Sequence, residues 1–246
     1  MIAAILFIFG LCIGSFLNVC IYRLPNSKSI VYPPSACPEC REPLRFYDNI
    51  PLLSYLLLRG KCRTCKANIS LRYPMVELMA GLFAICVYLK FGITLEALII
   101  YCLIASLIII IYIDIDHWII PDSITLPGIV IGWVFSFISN NISVLESSMG
   151  ILAGGGTLWL VAAGYQLLMK KEGMGGGDIK LLAMMGAIVG WQGVLFTIFV
   201  ASLVGTLAGL AAILQSRDGM KMAVPFGPFL SIGSITYIFF GPPLIA

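Results

Sequence analysis

Three groups of residues in this sequence have the types and spacing to do chemistry. The first is an acidic run, Asp114, Asp116 and Asp122, set against a strongly apolar stretch and interrupted by His117, Trp118 and Ile119-Ile120-Pro121. The second is Gly175-Gly176-Gly177-Asp178, where glycines run directly into an acid and then into another apolar stretch. The third is a pair of Cys-x-x-Cys knuckles, Cys37/Cys40 and Cys62/Cys65, with 21 residues between them. Carboxylates beside hydrocarbon are expensive, so acids kept there point to a functional site. Two of them close together can share one proton and act as base and acid on a water molecule, with no covalent intermediate. Four thiolates suit tetrahedral zinc, and four protein ligands leave no open position, so such a metal is structural.

Each acid also has a plainer reading. Asp178 could simply cap the helix that follows it. Asp114, Asp116 and Asp122 could line a solvated turn, with Pro121-Asp122 opening the next helix. If Asp178 does sit at a helix N-terminus, it is the better placed of the pair to carry negative charge, and Asp114, at a helix C-terminus, would hold the proton. Lys180, about 200° around the helix from Asp178, points away from it and toward substrate or a lipid headgroup.

The elements that must position these residues are membrane helices. Of 246 residues, 60% are hydrophobic and 11% charged, and the mean hydropathy is +1.01. Ordinary soluble domains are about 25% charged, so the bilayer is the solvent here. Apolar stretches at 1–22, 73–89, 95–113, 124–138, 149–169, 179–190, 194–214 and 224–240 predict an all-α bundle of about eight transmembrane helices. The fourth and sixth are short for a hydrocarbon core that needs about 20 helical residues.

Nine of the fifteen Lys and Arg lie between Arg23 and Arg72, opposed by Glu39, Glu42 and Asp48. A basic segment between apolar runs fits the positive-inside rule better than nucleic-acid binding. The stretch 1–22 has no basic residue before it, which argues for a retained first span and against a cleaved signal peptide. The expected topology is therefore N-terminus outside, with the loop 23–72 in the cytoplasm and a bundle over 73–246. Eight alternating spans then put Asp114, Asp178, Lys170, Lys171, Arg217 and Lys221 at the cytoplasmic side, and Lys90, Asn140, Asn141 and Glu146 outside. A reducing cytoplasm favours zinc over disulfides at the four cysteines.

Other chemistries lack their residues. One histidine, His117, leaves little for a histidine-based hydrolase, and Ser15 has no Lys or His placed to activate it. The glycine clusters 154–156 and 173–177 have neither the Gly-Lys-Ser/Thr of a phosphate loop nor a preceding strand. No internal repeat is evident. Cys12, Cys20, Cys86 and Cys102 fall in apolar spans and read as small packing residues.

The Gly-x-Gly-Asp at 175–178 resembles the signature of membrane aspartyl proteases, the group that includes presenilins and prepilin peptidases. Over nearly its whole length the chain is similar to bacterial type IV prepilin peptidases. The supporting segments are Gly14-Ser15-Phe16-Leu17-Asn18-Val19 with Arg23-Leu24-Pro25, Cys37-Pro38-Glu39-Cys40, Arg72-Tyr73-Pro74-Met75-Val76-Glu77, and Asp114 to Pro121. The resemblance implies catalysis by Asp114 and Asp178 and a zinc loop held by Cys37, Cys40, Cys62 and Cys65. The substrates it implies are prepilins or pseudopilins, cut after a short basic leader at the cytoplasmic face of the bacterial inner membrane. It also implies methylation of the new N-terminus from S-adenosylmethionine, without identifying the residues involved. Glu77, near the start of the second span, reads first as a structural acid at headgroup level and second as a candidate for substrate or amine contact. Two other readings stay open: an ion-coupled transporter using intramembrane aspartates, and a membrane-anchored zinc scaffold whose acids are only caps.

Overall fold

The computed structural model describes residues 1–139, 141–170, 175–215 and 224–245. Asn140, Lys171, Gly173, Met174, Arg217 and Lys221, which entered the sequence reading above, lie outside the described residues. Within them the chain is helical, with isolated bridges and no strand. The helices are α1 (Ile2–Arg23), α2 (Leu53–Leu57), α3 (Arg72–Phe91), α4 (Leu95–His117), α5 (Asp122–Phe135), α6 (Val144–Met169), α7 (Gly176–Gln215) and α8 (Gly227–Ile245). Five of these, α1, α3, α4, α6 and α7, are long and apolar enough to cross a membrane, and α5 and α8 are shorter apolar helices.

The expected sixth and seventh spans are two arms of α7. Gly190 breaks that helix with φ 73 and ψ 177, a conformation that costs a side-chain-bearing residue dearly. The bend is sharp. A Cβ placed on Gly186 would lie 2.9 Å from Val194, eight residues on, whereas an unbroken helix separates such positions by about 12 Å along its axis. Every apolar stretch expected from sequence thus corresponds to a helix or an arm of one.

The chain divides into two compact units, 1–109 and 110–246, with the boundary inside α4. In the first, α1 packs along α3 through Gly10 and Gly14. A methyl group on Gly14 would come within 2.5 Å of the Glu77 Cα, so the two backbones are nearly in contact there. In membranes, where lipid is as apolar as leucine, such close backbone packing is what drives helix association. The second unit repeats the device: Gly150 and Gly154 of α6 meet the Gly186 and Leu182 carbonyls of α7. Here α5 also lies on α7, with Gly128 against Met184, and α8 pairs with the second arm of α7, Gly233 against Thr197.

Candidate active site and metal centre

The acidic run lies where α4 ends. Ile104, Leu107, Ile108, Ile110 and Ile113 are almost fully buried, so the helix carries Asp114 one residue beyond its most enclosed stretch. Asp114 is 5% exposed, while Asp116 and Asp122 are exposed. Trp118, at φ 58, ends the helix with its N–H on the Asp114 carbonyl at 2.9 Å. The chain then turns through Ile119 and Ile120 into Pro121, where α5 begins.

Asp178 lies in the first turn of α7, two residues after the helix starts at Gly176. Its Oδ1 is covered and has no hydrogen-bond partner, so that oxygen caps nothing. A buried polar atom without a partner costs about 1–3 kcal/mol, so this oxygen does not stabilise the fold.

The fold brings Asp114 and Asp178 together within the second unit, inside Coulombic reach of one another. Two residues complete the site that sequence reasoning missed. The Gly227 N–H, at the start of α8, donates to Asp114 Oδ2 at 3.0 Å. The first N–H groups of a helix have no partner inside it, so α8 offers one to the carboxylate. Ile120, 8% exposed, is the other. It lies between two glycines: a Cβ on Gly177 would sit 2.9 Å from the Ile120 Cβ, and one on Gly227 would sit 3.4 Å from its Cδ1. The only signals in sequence were the Ile-Ile-Pro ending and the Pro225-Phe226-Gly227-Pro228 turn.

Two expectations change here. Asp114, not Asp178, is the carboxylate shown taking a donor from a helix N-terminus, because that helix lies more than 100 residues downstream and its direction could not be read locally. Lys180 is occupied, with its Nζ 2.8 Å from both oxygens of Asp122. That pair is exposed on both sides, so it contributes about 0–1 kcal/mol, but it ties α5 to α7 next to the two aspartates.

The four cysteines of the loop also come together. Their Sγ atoms all lie within 4.8 Å of one another, and Cys37 and Cys65 are 3.8 Å apart. Thiolates at about 2.3 Å from a tetrahedral zinc would be about 3.8 Å apart, so the donor set fits that ion. The two knuckles share one design, offset by 25 residues, a local repeat that sequence inspection did not find. Ala36 bridges to Pro43 and Lys61 to Asn68. The Cys37 N–H reaches the Glu42 carbonyl at 3.0 Å, and the Cys62 N–H reaches that of Ala67 at 2.8 Å. Arg41 and Lys66, each after the second cysteine of its knuckle, adopt φ 58 and 61. The N–H groups of Cys65 and Thr64 hold the Cys62 thiol down at about 7, ready to bind as thiolate. Of the remaining cysteines only Cys20 is buried, and Cys12, Cys86 and Cys102 lie on exposed helix faces. The packing role expected for them holds for one of four, since a helix surrounded by lipid can keep apolar thiols outward.

Residues 8–91 match the bacterial peptidase A24 N-terminal domain, and residues 101–210 match the type IV leader peptidase family. The chain is 36% identical to the prepilin leader peptidase/N-methyltransferase of Pseudomonas putida, covering 97% of this chain and 91% of that protein. It is 37% identical to the protein of the same name from Aeromonas hydrophila, covering 97% and 90%. With that of Neisseria gonorrhoeae the identity is 40%, covering 92% and 86%. No solved structure matches.

Proposed function

The chain belongs to the type IV leader peptidase family, and from that premise we propose that Asp114 and Asp178 are the carboxylates that cut a short basic leader from prepilins or pseudopilins. The observation that carries this is their convergence: two acids, from the end of α4 and the start of α7, form one half-enclosed site. One carboxylate takes a proton from water as the water oxygen adds to the scissile carbonyl carbon, while the other protonates the carbonyl oxygen. The tetrahedral adduct then collapses. As the C–N bond breaks, one hydroxyl of the adduct gives its proton to one aspartate and becomes the new carbonyl, while the leaving nitrogen takes a proton from the other, so the pair again shares one.

In this reading Gly227 is a positioning residue that fixes the rotamer of Asp114. Gly227→Ala makes a sharp test, because alanine is otherwise the better helix former by about 1 kcal/mol. Its Cβ would sit 2.6 Å from Asp114 Oδ2, forcing the carboxylate aside. The expected result is a ten- to hundredfold loss of kcat with KM changed less than threefold. Retention of full kcat would remove Gly227 from the site.

The proposed topology has the N-terminus outside, with the cysteine loop and both aspartates at the cytoplasmic face of the inner membrane. It rests on the charge excess of the segment 23–72 and on the leader of such substrates being basic. The functional division is a first span (1–22), a zinc loop (23–72) held by Cys37, Cys40, Cys62 and Cys65, and a peptidase bundle (73–246). The second activity is methylation of the new N-terminal amine, for which S-adenosylmethionine supplies the methyl group. Full-length protein in proteoliposomes, given a leader-bearing prepilin and S-adenosylmethionine, should release the leader and leave the new N-terminus heavier by one methyl group. Return of intact prepilin would overturn the assignment.

A further inference from the structure

The aspartates belong to the second unit, and the first holds a cavity of its own, about 450 Å³ in volume. That lies within the range of about 300–1,000 Å³ typical of sites for small molecules and cofactors. Its walls come from the last turns of α1, the first turns of α3 and the cysteine loop, among them Asn18, Tyr55, Tyr73 and Glu77. Cys37 and Cys62 also line it, so the metal knuckles form part of the wall.

Most of its polar groups are already paired. Arg23 donates to the Ser29 carbonyl at 2.9 Å and the Pro33 carbonyl at 2.6 Å, fixing the loop to α1. Arg63 grips both oxygens of Asp48. The Asn18 amide donates to the Tyr73 carbonyl at 3.1 Å. Glu77 differs. It is 9% exposed, and the donors that reach it are neutral, the Leu52 N–H at 2.9 Å and the Ser15 hydroxyl. A carboxylate enclosed without a counter-ion is costly, and a cation entering the cavity would relieve that cost. Leu52 adds an independent sign. It presents its N–H to Glu77 from φ 58 and ψ −47, a backbone conformation that leucine rarely adopts. Such strain costs about 1–3 kcal/mol and gathers at ligand clamps.

We propose that this cavity binds S-adenosylmethionine, with the Glu77 carboxylate facing the sulfonium and Tyr55 and Tyr73 supplying aromatic wall for the adenine. The inference rests on the methyl transfer described above and assigns it a site separate from the peptidase pair. In the transfer the terminal ammonium of the cut pilin first gives a proton to water. The nitrogen lone pair then forms the N–CH₃ bond as the S–CH₃ bond breaks, its electron pair staying on sulfur. A secondary ammonium and a neutral thioether result. Glu77 therefore faces positive charge on sulfur before the transfer and none after it, which favours release of the spent donor.

That change of charge gives the test a readout that a purely structural role would not move. Binding of S-adenosylmethionine and of S-adenosylhomocysteine to the full-length protein is measured by calorimetry, for wild type and Glu77→Gln. The substitution keeps an acceptor for the Leu52 N–H. It should weaken the sulfonium ligand at least about tenfold, or about 1.4 kcal/mol, and the thioether less than about threefold. A second measurement needs no variant: ultraviolet crosslinking of tritiated S-adenosylmethionine to wild-type protein should label peptides within 15–23, 48–58 or 73–77. Equal weakening of both ligands, no effect of the substitution, or labelling confined to 110–246 would overturn the site while leaving methyl transfer standing. Absence of any binding to wild-type protein would overturn both.

Discussion

Asp114→Asn and Asp178→Asn should each lower prepilin cleavage by at least about a thousandfold, and the double variant should be no worse than either one. Acid–base catalysis contributes about 10²–10⁴ in rate, and groups that work as a unit are strongly non-additive when removed. Neither change should harm the fold. The amide introduced by Asp114→Asn keeps an oxygen for the Gly227 N–H, whose bond to Asp114 Oδ2 is 3.0 Å. Asp178→Asn removes a carboxylate whose Oδ1 is covered and unpartnered, so thermal unfolding should hold steady or rise. Lost activity with undiminished stability separates a catalytic role from a capping one. Asp116→Asn, at an exposed position, should keep at least a third of the wild-type rate. More than a tenth of the activity left in either single variant would end the paired-aspartate reading.

Stripping metal from the protein, or changing Cys62→Ser, should release the loop around residues 35–70. Little apolar burial holds it: Leu44, Phe46, Leu53, Leu56 and Leu57 are all exposed, so beyond the Arg63–Asp48 pair and the Leu52–Glu77 hydrogen bond metal binding amounts to local folding. Hydrogen exchange should report the change. The N–H groups of Cys37, Arg41, Cys62 and Lys66, all hydrogen-bonded within the knuckles, should each lose at least a hundredfold in protection. Because Cys37 and Cys62 wall the first unit's cavity, S-adenosylmethionine binding should fall with them, and cleavage less than tenfold. In the metal-free chain, the Cys62 thiolate is favoured by folding, with a thiol held at about 7 against an ordinary 9.0. That contribution, present above pH 9 and lost as the pH falls through 7, is opposed within the same cluster by Cys40, whose thiol is pushed up to about 11. Protection that survives metal removal would mean that the loop folds on its own contacts.

The composition of the chain left little choice of solvent, and each apolar stretch became a helix or an arm of one. The acidic run, the acid after the glycines and the four clustered thiols could also be picked out, because burying a charge or assembling thiolates restricts which residue types can stand there; preferring Asp114 within that run took the family resemblance. What could not be read were the partners supplied across the fold. Gly227 matters because of where α8 points, Ile120 because two glycines close on it, and Lys180 because Asp122 of another helix stands opposite it. The expected charge asymmetry of the pair failed for the same reason: it considered only the helix each aspartate belongs to. The knuckle repeat escaped because its shared features are backbone hydrogen bonds and two left-handed residues, and the side chains between them differ.

The bend at Gly190 has a consequence for water supply. It leaves the first arm of α7 with 14 residues, from Gly176 to the bend, and α5 also has 14. Each is then about 21 Å long, against a hydrocarbon core of about 30 Å. Both begin beside the aspartates, where α5 leaves Pro121 and α7 enters Asp178. The first arm of α7 is largely buried, so it is α5, with Leu126, Val130, Ile131 and Val134 exposed, that meets lipid. Lipid thinning to match it draws the aqueous boundary inward at the proposed site of hydrolysis.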